Sequence, residues 1–484
     1  MPGAGPILGG LRVPQILYAD DVVLLVETPG EMQQLLDVLQ QFCTLFGMQV
    51  NLTKTKGVVF HSGDRAAALR GCTWRFNGQR VGIVQQYTYL GVVFHEKHGC
   101  SAGVKARAAA GRGAMLALLG RARVLHLDQS DLLCRLFDHL VEPVLSFGCQ
   151  VWGSTVAEAA LRPPRSGAAP HALYGVLDRV KVAAEGVHLD FLRRLGGLPT
   201  CSHRWITLAE FGRRPLLLRW AKLLARYWER LQQACCTDVD PGDISASPLV
   251  IAAFKANIQL YLDDRNCACW AGELLRVMHA LGVIVDPATC VTVDDVLGLS
   301  LTEQSAVARC DALVESWWQQ HGASHADPRS ASEADVCLST YRRGVQGGVV
   351  PPKGAPHLKS HLLPLQRQAL IRFRVGSYPL RIATGRNEGD GSANAQPGQA
   401  LGSRRIARSM RTCRVCGVAG AVEDMQHFLL ECPFYDRIRQ SWGAAFGQQA
   451  TTASVLGQRD QCRLAATVSR MLEQREQFFQ GGDE

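Results

Sequence analysis

The chain has 484 residues, 47% hydrophobic and 20% charged. At roughly 150 residues per domain this length holds about three structural units, and the composition excludes a single small module and a wholly disordered chain. Lys and Arg outnumber Asp and Glu by 52 to 43, a net charge of +9 that mildly favours a polyanionic partner.

The first residues lack the charged-then-apolar order of a secretory signal. Ile16 to Val26 then reads as two short apolar strands flanking the acidic turn Tyr18-Ala19-Asp20-Asp21, a hairpin buried on at least one face. Glu31 to Phe46 carries apolar residues at helical spacing, and Gly47 stands where a C-cap is expected. Strand-like stretches follow around Gly57 to Phe60, Cys72 to Phe76 and Tyr89 to Phe94, so residues 1–95 read as α+β. Beyond them Ala102 to Leu119, Asp131 to Leu145, Tyr174 to Leu195 and Leu216 to Leu231 each have a helical apolar stripe. The last of these sets Arg219, Lys222, Arg226 and Arg230 on a separate face, either a phosphate track or a solvated helix surface.

The chain order divides into 1–95, a helical segment 96–236, a helical region with loops 237–403, a basic Cys/His module 404–440 and a helical tail 441–484. The 17 Cys are odd in number and irregularly spaced, which points to a reducing intracellular compartment, nucleus or cytoplasm. No apolar run reaches the roughly 20 residues of a membrane span, so no membrane is expected as partner.

Two motifs carry chemistry. Adjacent carboxylates on an apolar hairpin resist joint ionisation unless a cation compensates them, so Asp20 and Asp21 are candidate ligands for divalent metal. Two Mg²⁺ held this way serve in-line phosphoryl displacement. The competing reading is an ordinary turn. Tyr261-Leu262-Asp263-Asp264 repeats the tetrapeptide without a second apolar strand and reads as a helix end or loop. The second motif is Cys413-x2-Cys416-x10-His427-x4-Cys432, which reads either as a tetrahedral ligand set for one structural Zn²⁺ or as unrelated cysteines with a core histidine. Arg404, Arg405, Arg408, Arg411 and Arg414 lead into it without an intervening acid, as a nucleic-acid patch or a basic loop.

After Asp21, the segment Gly47-Met48-Gln49-Val50-Asn51-Leu52-Thr53-Lys54-Thr55-Lys56 and then Tyr89-Leu90-Gly91-Val92 stand in an order that resembles the non-LTR (LINE-like) retrotransposon reverse transcriptases. The thumb of that family is similar to Leu136 to Gly148 with Val151-Trp152-Gly153, and Leu208 to Leu216 is also family-like. Phe373-Arg374-Val375-Gly376-Ser377 and Cys432-Pro433-Phe434-Tyr435-Asp436-Arg437-Ile438-Arg439 resemble its C-terminal knuckle region.

The resemblance implies a partial polymerase palm followed by a mainly helical thumb and a small zinc knuckle, and RNA-directed DNA synthesis from RNA template, DNA primer or target and deoxynucleoside triphosphates. Asp20 and Asp21 would hold Mg²⁺, Lys54 would lie near the nucleotide phosphates, and Tyr18, Leu90 and Gly91 would border substrate and primer, Leu90 and Gly91 as the primer grip. It also implies a further palm aspartate and a fingers segment upstream. Only 17 residues precede Tyr18, so the chain is expected to be an N-terminally truncated polymerase, inactive alone. The alternative is a non-enzymatic nucleic-acid-binding remnant of a retroelement.

Overall fold

The computed structural model describes residues 4–99, 102–161, 182–236, 247–323, 341, 355–360, 362–380, 382, 406–447 and 449–480. The chain opens with short strands, each in a two-stranded sheet: β1 (Ile7–Leu8) with β2 (Leu11–Arg12), and β3 (Gln15–Tyr18) with β4 (Asp21–Leu24). After helix α1 (Pro29–Leu45) comes β5 (Lys56–Gly57). Helix α2 (Arg65–Ala68) precedes the hairpin of β6 (Arg75–Phe76) and β7 (Gln79–Arg80). β8 (Gly82–Ile83) lies parallel to β5, and β9 (Gln86–Tyr89) with β10 (Val92–His95) forms a last hairpin.

Helices follow: α3 (Gly103–Val124), α4 (Ser130–Leu140), α5 (Glu142–Ser146), α6 (Cys149–Leu161), α7 (Ala183–Gly196), α8 (Arg204–Glu210) and α9 (Leu216–Cys236). They continue with α10 (Pro248–Asp263), α11 (Trp270–Ala280), α12 (Val293–Leu297), α13 (Glu303–Ala323) and α14 (Pro364–Val375), and end with α15 (Asp436–Gln440), α16 (Thr452–Leu456) and α17 (Gln461–Gln480). The fold is mixed, small β-hairpins followed by helices, in loose agreement with the α+β expectation.

Local chemistry explains the first helix. Thr28 caps it by accepting from the Glu31 N–H, Pro29 fills the first turn, and Gly47 sits at φ +65° just beyond the end. The long stripe expected for Asp131 to Leu145 is broken where Pro143 cannot donate to a continuing helix, giving α4 and α5. The second Tyr-x-Asp-Asp ends α10, with Asp264 as C-cap.

Two compact units emerge. Unit 1 comprises Met1–Arg112, Pro143–Glu185 and Leu216–Cys310. In it, α1 packs Leu36 and Cys43 against Trp74, Phe76 and Val81, while Trp74 Nε1 donates to Pro29 O and Gln33 brackets Arg75 through its backbone N–H and C=O. Its helical core gathers α6, α9, α10 and α11 around Trp220, Trp228 and Trp270; Trp152 meets Trp220 edge-on, with ring centroids 5.0 Å apart.

Unit 2 comprises Gly113–Glu142, Gly186–Pro215 and Asp311–Glu484. Phe137 stacks on Phe191, Trp205 on Trp317, and α14 packs on α17. Arg213 grips Asp138 with both terminal nitrogens, and fully buried Glu210 takes Arg374 Nε at 2.7 Å and Tyr341 Oη at 2.8 Å. Among the described residues no helix is long and apolar enough to cross a membrane.

Candidate metal centres

The carboxylate turn is a two-residue hairpin in the register Tyr18↔Asp21, Leu17↔Val22, Ile16↔Val23. Ala19 takes φ +51°, a left-handed value that costs a non-glycine residue roughly 1–2 kcal/mol. The hairpin is where the structure corrects the sequence reading. Every residue of β3 is exposed, including Leu17 and Tyr18 at 61%, so neither face is buried. The physical reason is pairing: among the described residues β3 bonds only β4, and the core beneath α1 takes only Leu24 from the hairpin. Both carboxylates are exposed. The one group of three or more metal-ligating side chains among the described residues lies elsewhere, so no third ligand joins Asp20 and Asp21.

Lys54 stands exposed on a turn organised by Asn51, whose Oδ1 accepts from the Thr53 N–H, the Thr53 hydroxyl and the Lys54 N–H. Tyr87 Oη on β9 donates to Lys54 O at 3.3 Å, which joins this turn to the second hairpin. No hydrogen bond or ion pair among the described residues links Lys54 to either aspartate. At the tip of that hairpin Leu90 (φ +46°) and Gly91 (φ +78°) form a two-residue turn with both φ positive. The close approach at Gly91 is to protein: a Cβ there would lie 2.9 Å from the Phe147 ring, and Arg107, stacked over that ring at 4.9 Å, donates to Gly91 O. Arg107 and Phe147 were not singled out from the sequence, because a contact spanning 16 residues or more has no local signature.

On α9, Lys222 and Arg226 share Glu303 at 3.2 and 3.5 Å, so this one carboxylate offsets one of the four positive charges of the basic stripe.

The Cys/His cluster forms as expected. Sγ of Cys413, Cys416 and Cys432 and a ring nitrogen of His427 all lie within 4.8 Å of one another. Tetrahedral ligation at about 2.3 Å sets ligand atoms about 3.8 Å apart, so a small contraction would seat one Zn²⁺. Thr412 and Val422 pair in a β-bridge that brackets the Cys413–Cys416 turn, and Cys413 N donates to Ala421 O. The Cys413 thiol is pushed down to about 4, first by the hydrogen bond from Cys432, then by the N–H groups of Val415 and Cys416 against the cost of burial; the same bond pushes Cys432 up. A thiolate favoured without a metal is the state a cation requires. His427 Nε2 lies 3.4 Å from Cys416 Sγ, and its Nδ1 faces Glu431 at 3.8 Å, the outer carboxylate that ligating histidines commonly use.

The arginine run before the cluster divides. Arg404 and Arg405 lie outside the described residues, as does the Arg408 side chain, and Arg414 is exposed. Arg411 is a correction to the expected phosphate patch: it is buried, with its guanidinium donating to Ile406 O and Ile382 O, so its charge is spent on main-chain carbonyls of the fold. Sequence reading also missed the pair of Arg475 on α17 with buried Glu423, at 2.7 and 3.0 Å. The cluster is embedded in a core with α14 and α17, where Cys413 and Cys432 pack with Phe373, Phe428, Leu464 and Val468.

Residues 5–94, which contain the carboxylate turn, the Asn51 turn and the Leu90–Gly91 hairpin, match the family described as reverse transcriptase (RNA-dependent DNA polymerase). An uncharacterized transposon-derived protein of Caenorhabditis elegans is 25% identical over 146 residues, which is 30% of this chain and 50% of that protein. The match thus spans about half the length of that relative. No solved structure matches the chain. The carboxylate hairpin within the matched segment and the transposon-derived relative together support a reverse-transcriptase-like retroelement protein.

Proposed function

We propose that this chain is the C-terminal portion of a non-LTR (LINE-like) retrotransposon reverse transcriptase that copies RNA into DNA from a primer at a nicked target. The observation that carries the reading is the two-residue Tyr18–Asp21 hairpin inside the segment that matches the reverse transcriptase family. Asp20 and Asp21 would hold Mg²⁺, which when bound stabilises the attacking 3′-hydroxyl and the leaving pyrophosphate. Lys54, exposed on its Asn51 turn, is free to meet the triphosphate of an incoming deoxynucleotide, and Tyr18 and the Leu90–Gly91 turn would border the primer. Cys413, Cys416, His427 and Cys432 would hold one structural Zn²⁺, consistent with their convergence within 4.8 Å.

These residues by themselves are proposed not to polymerise, since the two aspartates stand exposed with no third ligand among the described residues. The exposure of β3 also favours a second reading, a nucleic-acid-binding remnant without chemistry. Primer extension separates them. The purified chain with RNA template, DNA primer, deoxynucleotides and Mg²⁺ should incorporate nothing, and detectable incorporation refutes the proposed inactivity. Joined to its upstream coding sequence it should extend the primer, and Asp20→Ala should abolish this through loss of a metal ligand. Continued synthesis in that variant removes Asp20 from the site; failure of the joined chain itself supports the remnant.

A further inference from the structure

An α-helix turns about 100° per residue, so residues five apart point about 140° away from each other and cannot share a cation. His427 and Cys432 are five apart, and they converge because His427–Glu431 is a π-helical turn, closed by the Cys432 N–H donating to His427 O at 2.7 Å. This turn has a local cost. Phe428 O would take the Cys432 N–H in an α-helix or the residue 433 N–H in a π-helix, but the first is committed to His427 and the second is missing because residue 433 is proline. Leu429 O would look to the same missing donor or to the Phe434 N–H, which instead points at the Cys432 sulfur. Phe428 and Leu429 are fully buried, so no water replaces those donors.

Arg439 fills the gap. It is 7% exposed, its Nη1 reaches Phe428 O and Leu429 O, each at 3.4 Å, and its Nη2 donates to Cys432 O and to Asp436. We propose that Arg439 is a positioning residue for the metal centre: its guanidinium supplies the donors that Pro433 removes and so holds His427 and Cys432 in ligating positions before metal arrives. The inference rests on the zinc reading above. The guanidinium holds its five donors in a rigid planar fork, whereas an ammonium offers three on a flexible stem and is held less firmly against the same carbonyls. Outer groups that orient ligands typically shift metal affinity 10–100-fold when removed.

The test is zinc affinity of the full-length chain by competition with a chromophoric chelator, for wild type, Arg439→Gln and Arg439→Lys, together with the absorption of the Co²⁺-loaded proteins. Arg439→Gln should weaken zinc about 10–100-fold and Arg439→Lys should fall between, with displaced Co²⁺ ligand-field bands in both. Near-ultraviolet circular dichroism checks folding, and should Arg439→Gln not fold, Arg439→Lys decides by the same criterion. Affinity within twofold of wild type and an unaltered Co²⁺ spectrum would reduce Arg439 to core packing. Failure of the wild-type chain to bind one equivalent of zinc would instead overturn the zinc reading itself.

Discussion

His357 lies fully buried in unit 2, its Nε2 3.1 Å from Glu210 Oε1 but without the alignment of a hydrogen bond, and neither ring nitrogen has a hydrogen-bond partner. Burial pushes its pKa down to about 4, helped by Arg374 and Arg367 and opposed by Glu210. An unfolded imidazole titrates near 6.5, so between these values the unfolded chain binds a proton that the folded chain does not. The sign follows. Stability is complete above about pH 6.5 and falls as pH drops, by about 1.4 kcal/mol per unit, reaching a loss of roughly 3 kcal/mol near pH 4. Carboxylates also lose stability over that range, so the informative quantity is a difference. Urea unfolding of wild type and His357→Phe from pH 7.5 to 4.5 isolates it, because phenylalanine keeps the ring shape and forfeits no hydrogen bond. The variant should lose distinctly less stability on acidification, the gap between the two curves widening only below about pH 6.5. Parallel curves would refute the assignment of a neutral, titration-suppressed imidazole at this position.

Gly91→Ala should destabilise unit 1 by about 2–3 kcal/mol, combining the left-handed φ with a Cβ driven into the Phe147 ring, and unchanged urea unfolding would mean that Phe147 gives way freely. Replacing Arg404, Arg405 and Arg408 together with Gln should flatten the log–log salt dependence of single-strand binding by about two units if all three touch phosphate. Arg411→Gln should leave that slope in place and lower stability instead, since its guanidinium is buried on Ile406 and Ile382 carbonyls; a slope that moved with Arg411 alone would reverse the roles.

What was legible in the sequence was local. The tight hairpin at Tyr18–Asp21, the end of α1 at Gly47 and the helix end at the second Tyr-x-Asp-Asp each follow from residues within a few positions of one another. The convergence of Cys413, Cys416, His427 and Cys432 was also readable, because four such side chains at this spacing have few reasons to stand together even when the geometry is unknown. Burial of β3 was misjudged because alternation and apolarity describe what a strand could bury, while its neighbours decide what it does bury. Arg411 was misjudged for a related reason: a run of arginines looks the same whether its members face solvent or buried carbonyls.

The family-like segments outside the carboxylate turn acquire a physical meaning once their partners are known. Asp138, from the thumb-like segment, takes both terminal nitrogens of Arg213, which follows Glu210 in the next segment; Glu210 in turn takes Arg374 from the third. Each of these segments therefore supplies one half of an ion pair that another completes, across 75 residues for the first pair and 164 for the second. The Glu210–Arg374 pair is buried on both sides, and removing one partner of such a pair strands the other at a cost of about 3–5 kcal/mol, so these two residues resist replacement singly without touching any substrate. The same argument covers Arg439, whose partners are carbonyls that Pro433 leaves bare. A motif recognised by resemblance can thus mark interlocking structure as readily as chemistry, and among the described residues the Cys/His cluster is the group in which recognisable spacing comes with converging side chains that could hold an ion.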